Sequence, residues 1–270
     1  MTTALFIIDP QKDFIDDPKF MGSLAVTGAN EDMRRLADHI NETPPDAIVV
    51  TLDTHEKMHI ANPMWWVDEN GKNPEVFTLI SVEDVISKKW MAHVKEKQES
   101  SLAYVMELEK NKKFKLCIWP YHCIDGTEGH KVTEVISIAL NRWEISTGKK
   151  VQYVMKGQNP NTEHYSGLKA EVVISSDPKT KLNTKVINFL NSFDSVEVAG
   201  EAKSHCVSST TGDLIGGFGA NANKIVILEN CMSSVSGFEN AGETFIEEAK
   251  KAGCKVVSVV DKSLAKKMKI

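Results

Sequence analysis

The sequence predicts an α/β fold of three layers, a mostly parallel six-stranded sheet covered by helices on both faces. Short apolar, β-branched runs alternate with helix-like segments along the whole chain. The runs are nearly continuous in apolar character, as strands buried on both faces require. Strand, helix, strand in repetition is the pattern of crossover connections between parallel strands.

The expected strands are Ala4–Ile8, Ala47–Leu52, Val151–Met155, Val196–Ala199, Ile225–Leu228 and Val256–Val260. A shorter run, Leu116–Trp119, reads as a strand end or a packed loop. Helices are expected near Asn30–Ile40, Ser101–Lys112, Lys131–Ser146, Lys181–Asn191, Val207–Gly216 and Glu239–Ala252. Val186, Ile187, Leu190 and Phe193 fall on one helical face. Gly253 follows Ala252 directly and supplies a helix stop. Residues 56–118 interrupt the rhythm; they are polar in places and hold Trp65, Trp66 and Trp90. Residues 1–270 are read as one domain carrying this insertion, which either closes over a site or packs its tryptophans on the core.

The chain has 270 residues, 41% hydrophobic and 26% charged, with enough apolar material for a real core. A net charge of −5 argues against a nucleic-acid partner, which needs a basic face. The tail lysines Lys262, Lys266, Lys267 and Lys269 read as a solvated terminus. No apolar run reaches the roughly 18 residues of a membrane span, and the N-terminal stretch reads as a first strand rather than a signal peptide. Five scattered cysteines form no disulfide framework, which places the protein in a reducing cytoplasm.

Ligands of open parallel sheets bind beyond the carboxyl ends of the strands. Asp9 ends the first run, Asp53 the second, with His55 just beyond, and Lys156 the third; the fourth leads through Gly200 to Cys206. Strands also end on ordinary surface charges, as Glu229 and Asp261 illustrate, so the joint set carries the argument. Cys206 falls between a strand and a helix start, where a thiolate is favoured. Cys117, Cys231 and Cys254 read as packed thiols. Asp9, from a neighbouring strand end, is a better base than His205, whose side chain is expected to diverge from its neighbour Cys206 as a structural or peripheral residue. Lys156 either steadies carboxylate and thiolate together or forms a plain ion pair with Asp9. Asp53 and His55 face one side of an extended backbone, with His59 four residues on and His122 in a Pro-containing turn. Imidazole and carboxylate together suit zinc, iron or manganese. Cys123 is a further ligand in principle, expected to be packed instead. Gly216-Gly217-Phe218-Gly219 lacks the Lys-Ser/Thr of a phosphate loop and ends a helix.

Five ordered segments carry a resemblance. They are Ile7-Ile8-Asp9-Pro10-Gln11-Lys12-Asp13-Phe14, Asp53-Thr54-His55, Trp119-Pro120-Tyr121-His122-Cys123, Lys156-Gly157-Gln158-Asn159-Pro160 with Tyr165-Ser166, and Gly200-Glu201-Ala202-Lys203-Ser204-His205-Cys206-Val207. The chain resembles the cysteine hydrolases of the isochorismatase-like superfamily, most closely the nicotinamidases. The resemblance implies a catalytic triad of Asp9, Lys156 and Cys206. It implies one divalent metal, zinc before iron or manganese, on Asp53, His55 and His122, with His59 as a neighbour. It implies backbone oxyanion donors at Ala202 and Cys206, a substrate pocket using Phe14, Trp119, Tyr165 and Ala202, and a cis peptide at Glu201–Ala202. The implied reaction is amide hydrolysis of nicotinamide through a thioester. The alternatives are another small amide or carbamoyl substrate, a metallohydrolase with an incidental cysteine, or a ligand-binding protein without turnover. The implied partner is a small-molecule amide; no nucleic acid or membrane is involved, and a homo-oligomer is compatible. Three positions depart from the family pattern: Glu201 where an aliphatic residue is usual, and Lys203 and Ser204 where Thr and an acid are frequent.

Overall fold

The computed structural model describes residues 1–111 and 113–260. The expected helix end at Lys112, the strand-ending Asp261 and the lysine-rich tail lie outside the described residues. Six strands form one sheet: β1 (Thr3–Ile8), β2 (Ala47–Asp53), β3 (Gln152–Lys156), β4 (Ser195–Gly200), β5 (Ile225–Leu228) and β6 (Lys255–Val257). Their order is β6-β5-β4-β1-β2-β3, and every pairing is parallel. The helices are α1 (Ala29–Glu42), α2 (Val82–Ile86), α3 (Gln98–Lys110), α4 (Glu134–Thr147), α5 (Thr184–Asn191), α6 (Ser208–Phe218) and α7 (Glu239–Lys251). Two apolar clusters flank the sheet, giving the three expected layers. One gathers Leu5, Ile7 and Val50 with Met33, Leu36, Leu140 and Trp143 of α1 and α4. The other gathers Phe6, Ile8 and Val49 with Leu190, Leu214, Phe218 and Phe245 of α5, α6 and α7.

Strands β1, β2, β4 and β5 are almost wholly buried, as continuous apolar runs demand. The outer two differ from expectation. In β3 only Lys156 is buried, while Tyr153 and Met155 are half exposed. β6 stops at Val257, short of the expected Val260. Both lie at sheet edges, where one flank has no strand to cover it. No helix among the described residues is long and apolar enough to cross a membrane. All five cysteines are buried and free. Gly216 to Phe218 ends α6, and Gly219 begins a 3-10 turn, Gly219–Lys224.

Residues 56–118 form α2, α3 and antiparallel two-residue ribbons, Trp66–Val67 with Met91–Ala92 and Leu79–Ile80 with Leu116–Cys117. Trp65 and Trp66 are buried, their indole N–H groups donating to Ser101 Oγ (2.9 Å) and Ile60 O (2.7 Å). The tryptophans therefore pack on the core, as one of the two readings of this segment held.

Register aligns the functional ends. Ile8 lies opposite Gly200, and Asp53 opposite Lys156. Asp9, Glu201, Asp53 and Lys156 thus arrive at the carboxyl end of the sheet. The close approach needs Gly200: it has φ +123°, and a Cβ there would stand 2.0 Å from the Ile8 carbonyl oxygen. Gly200→Ala is expected to cost at least about 2 kcal/mol, read by urea unfolding; a loss below about 0.5 kcal/mol would contradict this packing.

Candidate active site

Lys156 ends β3 with its ammonium sealed from water. It donates to His164 O at 2.7 Å and Cys206 Sγ at 3.6 Å, and it pairs ionically with Asp53 Oδ1 at 3.0 Å and Asp9 Oδ2 at 3.1 Å. Burial alone would lower the lysine's pKa, but the Asp53 and Asp9 charges hold it well above its usual value. Burial and the charges of His55 and Lys156 act oppositely on Asp53, and the cations win, holding it well below the carboxylate range. Asp9 goes the other way. Its burial outweighs Lys156, and its pKa is raised. Thr51, two residues before Asp53 and on the same strand face, accepts from Asp9 N–H (3.0 Å) and donates to Asp9 Oδ1 (2.6 Å). Sequence reasoning missed Thr51, which looks like any β-branched strand residue.

Cys206 lies in a single π turn, Lys203–Val207, immediately before α6. Ala202 O accepts the N–H groups of His205 (3.0 Å) and Val207 (3.1 Å), passing over Cys206 between them. The expected cis peptide, Glu201–Ala202, is present. The expected thiolate-favouring helix start does not decide the thiol's state. Burial pushes the Cys206 pKa well above its ordinary value despite Lys156, and a hydrogen bond to Asp9 adds to the effect. Burial therefore favours the thiol form of Cys206, beside Asp9.

Asp53, His55 and His122 bring one donor atom each within 4.8 Å of one another. Asp53 Oδ2 lies 3.0 Å from His55 Nε2 and 3.5 Å from His122 Nε2. His122 Nδ1 is 2.7 Å from Pro120 O, where Nδ1–H donates, and its Nε2 is turned to Asp53. One carboxylate and two imidazole nitrogens this close together suit an intervening cation. Against burial, the Asp53 charge raises the His55 pKa. His59 is different. Its Nδ1 accepts from Ala61 N–H (3.2 Å) and its Nε2 meets Thr162 O (3.2 Å), so both nitrogens are engaged by backbone. Burial and His55 hold it neutral, well below its usual pKa. Glu163, which sequence reasoning missed, belongs to a second group with His55 and His59; its Oε1 is 4.0 Å from His55 Nε2. Cys123 is packed, as expected.

A pocket opens onto part of this cluster; with the solvent at its mouth it measures about 370 Å³, and its enclosed space is only about 30 Å³, so its walls stand close together. Cys206, Asp53 and His122 line it with all four expected wall residues, Phe14, Trp119, Tyr165 and Ala202. Glu163, Leu24, Val235 and His205 line it too. His205 is packed and structural, one of the two roles expected of it. The π turn brings the side chain before Cys206 into the pocket wall, where its ring packs 4.7 Å from Phe238 and 5.3 Å from Trp119. Burial pushes its pKa down to about 4. Residues 56–118 also reach this wall: Phe114 stacks on His205 at 5.5 Å, and Phe77 meets Trp119 edge-on at 5.9 Å.

No protein-family model and no curated protein matches this sequence. Solved structures do match. Nicotinamidases share this fold. The yeast nicotinamidase superposes with a TM-score of 0.64 at 22% identity, over 95% of this chain and 99% of that one. A nicotinamidase–pyrazinamidase of Acinetobacter baumanii gives 0.63 at 18%, covering 96% of each chain. A Pyrococcus horikoshii pyrazinamidase, solved in complex with zinc, gives 0.54 at 18%, over 96% of this chain and 99% of that one.

Lys156→Met would leave Asp9 and Asp53 facing each other without a cation. In metal-free buffer at neutral pH the loss is expected to be about 3–5 kcal/mol by urea unfolding. Asp9 already has a raised folded pKa, and losing the ammonium raises it further. Its contribution is complete below the unfolded value and is lost as pH rises through the folded one. The penalty should therefore grow from acid to neutral pH; a small, flat penalty would contradict the ammonium's role.

Proposed function

We propose that the protein is a cysteine amidase that hydrolyses nicotinamide, or a close heteroaromatic amide, to the acid and ammonia through a thioester on Cys206. The observation that carries this reading is the Lys156 ammonium, within 3.1 Å of Asp9 Oδ2 and 3.6 Å of Cys206 Sγ beside an aromatic-walled pocket.

A thiol held protonated by burial needs a base, and Asp9 is the carboxylate beside it. Asp9 takes the proton as sulfur attacks the amide carbon, and Lys156 balances the thiolate until the S–C bond forms. The N–H groups of Ala202 and Cys206 receive the developing oxyanion; one such donor contributes about 3–4 kcal/mol. Asp9 returns the proton to nitrogen as the C–N bond breaks and ammonia leaves. A water then gives its proton to Asp9 and its oxygen to the acyl carbon, the S–C bond breaks, and the proton returns to sulfur. Phe14, Trp119 and Tyr165 hold the flat ring, and Trp119 Nε1–H donates to Tyr165 Oη (3.2 Å), fixing two of those walls. Asp53, His55 and His122 fit a divalent ion, zinc before iron or manganese, which supplies a Lewis-acid anchor for the pyridine nitrogen. His59, already engaged by backbone, supports His55 rather than the ion.

Cys206→Ala is expected to lower ammonia release from nicotinamide by more than about a thousandfold. A variant near full rate would favour a metallohydrolase with an incidental thiol. His122→Ala leaves Lys156 its partners and should bring bound zinc, iron and manganese near zero by elemental analysis, whereas His59→Ala should retain them. Equal metal content in the two variants would remove His122 from the ligand set. Chelation should reduce turnover reversibly; indifference to a strong chelator would exclude a required metal.

A further inference from the structure

Glu201 is a departure that the reaction above does not use. It occupies the position just before Ala202, is completely buried, and its Oε1 has no hydrogen-bond partner among the described residues. Its Oε2 accepts the N–H of Ser233 at 3.1 Å. The carbonyl of the same serine accepts the N–H of Lys203 at 2.8 Å. Ser233 is thus tied to the residue on each side of Ala202. Two residues further on, Val235 N–H donates to Ser204 Oγ (3.1 Å), and Val235 itself lines the pocket. The segment 233–235 braces the nucleophile loop at three positions, 201, 203 and 204.

Ser233 is held from its other side as well. Its hydroxyl donates to Asp32 Oδ2 at 2.5 Å, and Arg35 holds Asp32 Oδ1 at 2.5 Å. Two buried acids therefore converge on one serine. The charged and titratable groups facing Glu201 are Asp32 with its partner Arg35 on α1, Asp16 in the ribbon before that helix, and Cys231 after β5.

We propose that Glu201 is a positioning residue whose buried carboxyl holds Ser233 against the loop carrying the Ala202 oxyanion donor. Burial and the neighbouring Asp32 charge both raise its pKa, favouring the protonated form. An aliphatic residue fills the same space but cannot bind Ser233 N–H. Glutamine keeps the acceptor for Ser233 and replaces the acid with a neutral group of the same shape.

The inference rests on the amidase reading for its kinetic arm only. Steady-state ammonia release from nicotinamide is measured for the wild type, Glu201→Gln and Glu201→Leu. Glutamine should keep kcat and KM within about twofold. Leucine should lower kcat by at least about tenfold with KM little changed, because a misplaced donor weakens the transition state and not ground-state binding. Urea unfolding between pH 5 and 9 needs no substrate. A raised folded pKa gives stability that is lost as pH rises from the unfolded value through the folded one, and the glutamine amide carries no such titrating proton. The stability of Glu201→Gln relative to the wild type should therefore climb with pH. Leucine at full kcat, or glutamine as slow as leucine, overturns the positioning role. A pH-independent stability difference overturns the neutral acid. If the wild type releases no ammonia, the amidase reading fails, and the unfolding arm still decides the state of Glu201.

Discussion

The Lys156 ammonium is the interaction on which the site depends. A lysine cation sealed at the end of an edge strand survives there only because two carboxylates, a carbonyl and a thiol share it. Their separations, from 2.7 to 3.6 Å, leave no room for water between them. The same cation lowers both acids, and the histidines separate their fates. Asp53, with His55 and His122 beside it, is held well below its usual range, and Asp9, without them, is left above its own. One acid suits a metal ligand, the other a proton acceptor, and they differ through their surroundings rather than their chemistry.

The sheet makes that arrangement simple to specify. Parallel strands deliver Asp9, Asp53 and Lys156 at the carboxyl end of the sheet, and register sets Asp53 directly beside Lys156. Gly200 lets β4 pass close to β1, so the loop to Cys206 starts from the same end. The π turn then turns Cys206 toward Lys156 and presents His205 to the pocket. Residues 56–118 complete the wall from outside the sheet with Phe77 and Phe114 while anchoring Trp65 and Trp66 in the core.

Much of this is legible in the sequence because apolar runs and their end residues are local signals. The four inner strands follow the uninterrupted runs closely, and Asp9, Asp53, Lys156 and Cys206 stand out as residues just beyond such runs. The two edge strands are harder. An edge strand is buried on fewer sides, so Tyr153 and Met155 look like core residues in the sequence and are half exposed in the fold. Thr51, Glu163 and Ser233 carry no signal, since each matters through a partner more than 30 residues away in the chain. His205 reads in the sequence as structural or peripheral, and only the π turn shows that its structural role is in the pocket wall. Glu201 is visible only as a departure from a family pattern; its neighbour Asp32 needs the fold.

The most direct test is to quench the protein in acid during steady turnover of nicotinamide and weigh it by mass spectrometry, mapping any added group to its peptide. The thiol, carboxylate and ammonium acting together predict an acyl adduct on the peptide holding Cys206, absent from Cys206→Ala. Sustained ammonia release with no adduct, or with one on another residue, would contradict the account.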